Sequence, residues 1–109
     1  MATFEDFMKL DIRVGTIVHA KSFEKARKPA YQLQIDFGEE IGIKKSSAQI
    51  TEQYKPEELI GKQILAVINF PVKQVADFMS EVLVLGTYSE GRVVLITPDK
   101  KVSNGDKLG

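Results

Sequence analysis

The side chains of this 109-residue chain that could carry a reaction are few, and they are badly placed for one. Ser46 and Ser47 follow Lys44 and Lys45, the residue types of a Ser-Lys nucleophile pair. Neighbouring strand residues point to opposite faces, so adjacency in the sequence works against such a dyad. His19 is the single histidine, and alternation sets it on the polar face of a strand, near its end. The acidic pairs Glu39-Glu40 and Glu57-Glu58 fall in a turn and in the first turn of a helix, where carboxylates favour the helix dipole. No HxH, HExxH or carboxylate array predicts a metal site, and no glycine-rich phosphate loop predicts a nucleotide. The chain reads as a binding module, not an enzyme, and no cofactor is expected.

Its binding chemistry lies in cations set beside aromatic rings. Lys21, Lys25, Arg27 and Lys28 form a basic cluster offset only by Glu24, and they run into Tyr31. Lys44-Lys45 is a second cluster, and Asn69, Phe70 and Lys73 share a basic turn. Such groupings suit single-stranded nucleic acid, through phosphate contacts and base stacking. Phe78 and Met79 are expected in a loop between strands, where a flexible methionine beside an aromatic makes an adaptable surface for varied peptides. Candidate peptide-binding residues are therefore Phe70, Phe78, Met79 and Tyr31. Candidates for an RNA-binding or basic face are Lys25, Arg27, Lys28, Lys44, Lys45, Asn69 and Lys73. With 15 basic and 15 acidic residues the net charge is zero, which counts against strong nonspecific binding of nucleic acid. The clustering of charge matters more than its sum.

The elements that must position these residues can be read from the pattern. The length is that of one domain. Without cysteine there is no disulfide framework, and an oxidising compartment is not implied. The start carries acid where a signal peptide carries base, and the longest apolar run, Ile64 to Ile68, is far short of the ~18 residues that cross a bilayer. A cytoplasmic protein without membrane insertion is expected. Thr3 should cap a helix over Phe4 to Lys9. Alternation predicts a strand over Ile12 to Lys21, with Ile12, Val14, Thr16 and Val18 on one face, a loop over 22–29, and a clear strand from Tyr31 to Phe37. A third strand is expected over Ile41 to Ser47. Pro56 and Gly61 bracket a helix that the pattern allows to extend back towards Gln49. Ile64 to Phe70 and Val82 to Tyr88 are strands four and five. Ser89-Glu90-Gly91 should turn the chain into an added sixth strand, Val93 to Thr97.

A helix between strands three and four of a small barrel is the arrangement of the OB-fold. The predicted class is all-β with short helices, a five-stranded OB-fold barrel with an added strand. In that fold the loops after strands one and four border one ligand face. Strands four and five are apolar on both sides, so Leu65, Val67, Leu83 and Leu85 point outward and need cover. The chain's own helices and tail could supply it. A homodimer interface on these four residues is the reading preferred here.

The segment Asp6-Phe7-Met8-Lys9-Leu10-Asp11-Ile12-Arg13-Val14-Gly15-Thr16-Ile17 resembles the "DFxKxDxRVGxI" opening of the stand-alone tRNA-binding domain family, which includes the C-terminal domain of bacterial methionyl-tRNA synthetase. Tyr54 to Lys62 and Asn69 match its helix and fourth strand. Ala26 to Tyr31, Asn69-Phe70-Pro71 and Phe78 to Gly86 are similar to a branch of small export-related chaperones within that family. The resemblance implies a cytoplasmic OB-fold homodimer that binds unfolded preproteins, without ATP, and the export motor SecA. Its alternative is tRNA, recognised by shape and backbone. The tRNA-binding members usually carry Ser-x-Gly-Met where this chain has Ser80-Glu81-Val82-Leu83, so only Ser80 carries over to the RNA face. Their "NADKLY" loop keeps only Ala26, Lys28 and Tyr31 here. Glu81 also places negative charge near any phosphate path, which weakens RNA binding.

Overall fold

The computed structural model describes residues 1–109. In chain order the elements are α1 (Phe4–Met8), β1 (Ile12–Ser22), β2 (Tyr31–Asp36), β3 (Ile43–Ala48), α2 (Pro56–Leu59), β4 (Gln63–Val67), β5 (Lys73–Val75), β6 (Phe78–Ser80), β7 (Leu83–Val84), β8 (Gly86–Ser89) and β9 (Arg92–Leu95). Five strands form one antiparallel sheet in the order β3-β2-β1-β4-β7. The sheet curls until its ends meet, where the Lys45 carbonyl accepts the Glu81 and Val82 N–H groups at 2.8 and 3.3 Å. This is the nearly closed barrel of an OB-fold.

The alternation of β2 builds the barrel centre: Leu33 and Ile35 are fully buried with Ile17, Leu59, Ile64 and Ala66. Gly15 is needed opposite them. A Cβ there would lie 2.6 Å from Ile35 Cγ2 and 2.8 Å from the Phe37 ring. The expected face of the first strand holds only to Thr16. A bulge shifts the register against β2 between Ile17 and His19, and leaves Val18 42% exposed. An extra residue in one strand bends it, which lets β1 serve two neighbours around the barrel.

A second apolar layer lies outside the barrel. Ile12, Val14, Leu65 and Val67 pack together under Phe7, Leu10, Leu85 and Ile96. Leu65 and Val67 do point outward, but their own chain covers them to 8% and 2% exposure, so the expected dimer interface cannot be founded on them. Leu85 joins the cover; Leu83 alone of the four is exposed.

The C-terminal segment also closes onto β1. Val14 exchanges hydrogen bonds with it, accepting from Gly105 N at 2.7 Å and donating to Asp106 O at 2.9 Å. Arg13 holds the segment in place, with Nη1 donating to Gly105 O at 2.9 Å and Nε paired with Asp11 at 2.6 Å. The Asp11-x-Arg13 part of the opening motif is thus an anchor for the tail.

Three further expectations change. The helix begins at Pro56 and does not reach back towards Gln49; it stops before Gly61, whose φ is +90°. Residues 73–80 are not a loop but a β-hairpin, β5–β6, turned at Ala76 with φ 52°. Strands of three residues are too short to show alternation. The predicted fifth strand splits into β7 and β8, because Leu85 N bonds back to Leu65 O while Gly86 starts a separate hairpin with β9. Glu90 and Gly91, both at positive φ, turn that hairpin as expected. No helix is long and apolar enough to cross a membrane.

Candidate functional site

A groove of about 1080 Å³ runs along the line where the barrel ends meet. Loop residues Lys25 to Lys28 and Ala30 form one wall, the end of β3 and the two residues after it, Ser47 to Ile50, another, and Lys73 to Ala76 of the hairpin a third. Ser80 to Gly86 form its base, with Phe70, Pro71, Tyr88 and Val93 around the mouth. The groove therefore lies between the loops after strands one and four, the ligand face of the OB-fold.

Of the predicted basic residues, Lys25, Arg27, Lys28 and Lys73 line this groove. Only one acid, Glu81, does so, and its carboxylate accepts the Lys45 backbone N–H at 3.0 Å. Four cations over a largely apolar base can hold a chain that mixes apolar and anionic groups. Lys25 is also bound to Asp77 at 2.8 Å. Its hydrogen bond to Asp77, then their mutual attraction, raises the Lys25 pKa above the ordinary lysine value, and the same contacts lower that of Asp77.

Other candidates are engaged elsewhere. Lys45 lies outside the groove, with Nζ 5.4 Å from the centroid of the Phe78 ring. Lys44 faces Ile35 across the β2–β3 pair, also off the groove. Asn69 is a structural staple: its Oδ1 accepts Asp11 N at 2.9 Å and its Nδ2 donates to Lys9 O at 2.8 Å. Ser80 does line the groove, but its Oγ accepts Ser47 N at 3.0 Å and helps close the barrel.

The peptide-binding candidates divide in the same way. Phe70 lines the groove and is 44% exposed. Tyr31 is 7% exposed in the core, and its hydroxyl donates to Tyr54 O at 2.7 Å. Phe78 packs on Phe23 with ring centroids 5.5 Å apart and pins the hairpin to the barrel. Met79 sits opposite Gln74 on the hairpin, exposed but outside the groove lining. Sequence reasoning missed Gln49, Ile50, Tyr88 and Val93 as lining residues. An aromatic at the tip of a predicted hairpin was the one available signal, for Tyr88. No group of three or more His, Cys, Asp or Glu could hold a metal ion.

Residues 12–107 match the family described as "Putative tRNA binding domain", and the chain belongs to that family. Among curated relatives it is 40% identical over 106 residues to the methionine--tRNA ligase of Parabacteroides distasonis. That match takes in 96% of this chain but spans only 15% of the ligase. Two solved structures match along their whole length. The chaperone CsaA from Bacillus anthracis is 58% identical with a TM-score of 0.93, covering 100% of this chain and 99% of its own. The CsaA chaperone protein from Picrophilus torridus is 56% identical with a TM-score of 0.95, covering 100% of both.

Proposed function

We propose that the chain is an ATP-independent chaperone that holds unfolded preproteins and assists their export from the cytoplasm. The observation that carries this reading is the groove, a base rich in apolar residues under Arg27, Lys28 and Lys73, in a chain similar throughout to two CsaA chaperones. Unfolded polypeptide exposes apolar side chains that a groove of this kind can shelter. Arg27, Lys28 and Lys73 would attract its acidic or carbonyl groups. A homodimer would present two such grooves and gain avidity on one long client. Its contact is drawn away from Leu65 and Val67, which are already covered. SecA remains the partner that the resemblance implies.

A second reading is tRNA binding, favoured by the family match and by the same four cations. A matched titration at moderate salt separates the two, with tRNA against an unfolded secretory precursor and particle mass measured alongside. Precursor binding by a particle of twice the monomer mass, with weak and salt-sensitive tRNA binding, is expected. Tight tRNA binding without precursor affinity would reject the chaperone reading.

A further inference from the structure

The barrel closes over only part of the seam between β3 and β7. Besides the two bonds to Lys45 O, two side chains complete the closure: Glu81 Oε1 accepts Lys45 N, and Ser80 Oγ accepts Ser47 N, each at 3.0 Å. Past Ser47 the closing bonds end, and both edges line the groove. The backbone N–H and carbonyl of Gln49 have no protein partner.

The parity of the strands tells which way these groups face. Lys45 N and Ser47 N turn away from β2 into the seam. Ser46, Ala48 and Ile50 are buried in alternation with Ser47 and Gln49, so the alternating pattern continues past the end of β3. Gln49 therefore presents its N–H on the seam side. On either side of β7, Leu85 N donates to Leu65 O of β4 while Val82 N, like Glu81 N before it, turns to Lys45 O. Val84, of the opposite parity to Leu85, directs its backbone away from β4 and into the groove. Unpaired edge groups of this kind are a template for an additional strand.

We propose that the client enters the groove as an extended segment that pairs with the Ser47–Gln49 edge of β3, completing the barrel with a borrowed strand. This deepens the chaperone reading and rests on it. Main-chain pairing is independent of client sequence, as a chaperone with many clients requires. Alternate client side chains would fall against Val82, Val84 and Val93 and towards Arg27 and Lys28, favouring segments in which apolar residues alternate with acidic ones. RNA has no N–H and carbonyl groups repeating at strand spacing, so it cannot pair along this edge as a polypeptide does, and an isolated N–H offers it no more than one phosphate contact.

The test is amide hydrogen exchange by NMR on the intact protein, with reduced and carboxymethylated α-lactalbumin as a permanently unfolded client and binding followed by anisotropy. At saturation Gln49 N–H exchange should slow by about tenfold or more, while Ser47 N–H, already bonded to Ser80, changes little. Saturable binding with unchanged Gln49 exchange would overturn the strand-pairing proposal and leave the chaperone reading standing. Absence of any lactalbumin binding would reject both. Protection of Gln49 by tRNA instead would also overturn the proposal. A second measurement uses a decapeptide of alternating valine and glutamate, N-methylated at one position at a time. Methylation at positions of one parity should weaken binding roughly tenfold and at the other parity hardly at all. Equal losses at both parities would count against the proposal.

Discussion

Lys25 and Asp77 meet at 2.8 Å beside the groove, joining the loop that follows β1 to the turn of the β5–β6 hairpin. Two walls that are separate in the sequence are thereby tied together. The pair is exposed, so its effect falls on the local geometry of the groove far more than on global stability.

The clasp should depend on pH and salt. The folded Asp77 pKa lies below its unfolded value, so its contribution is present above the unfolded value and lost as pH falls through the folded one. Lys25 is raised, so its contribution is present below the unfolded lysine value and lost only as pH rises through the higher folded one. Carbon-detected NMR titration should show the Asp77 carboxyl titrating at lower pH in the native protein than in Lys25→Ala, with the difference shrinking in high salt. Equal midpoints in the two proteins would show that the contact does not form in solution.

Asn69 is expected to matter for folding and not for ligand. Asn69→Ala removes both bonds that tie the end of β4 to the segment after α1, and should lower stability by about 1 kcal/mol. Urea unfolding measures the loss. Affinity for unfolded polypeptide and for tRNA should be unchanged in the folded variant; a selective loss of tRNA binding would return Asn69 to the RNA face.

Leu65 separates core from interface. It is buried within a single chain, so Leu65→Ala should cost about 2–4 kcal/mol. The same loss is expected at low and high protein concentration. If the variant were instead a stable monomer of nearly native stability, its role would be to join subunits.

The groove cations should act on anions in proportion to charge. Arg27→Ala with Lys28→Ala should weaken tRNA binding and lower its salt slope by about 2, roughly one for each phosphate no longer neutralised. A neutral unfolded client, which offers these cations only carbonyl groups, should lose much less affinity than tRNA does. An unchanged salt slope would place the RNA path elsewhere.

The aromatic residues should separate into ligand and support. Phe70→Ala should weaken client binding with little loss of stability, since the ring is exposed and lines the groove. Phe78→Ala should loosen the hairpin by removing its packing on Phe23, seen as faster amide exchange at Lys73 to Val75. Met79→Ala should be close to neutral in aggregation-suppression assays; a large loss would put the client on the outer face of the hairpin.

Much of the barrel is legible in the sequence, because alternation over Tyr31 to Phe37, the Pro56 and Gly61 brackets and the Glu90-Gly91 turn are local signals. They set the strand positions, the helix before β4 and the two loops that border the groove. The basic loop from Lys25 to Lys28 is local too, and it does line the site. Tertiary structure alone decided which polar side chains remain free for a ligand and which outward apolar ones stay uncovered. Asn69 bonds to Lys9 across 60 residues, and Glu81 to Lys45 across 36. Leu65 and Val67 are covered by residues as distant as Phe7 and Ile96. Periodicity records the direction in which a side chain points; the atom that meets it is brought there by the closure of the barrel.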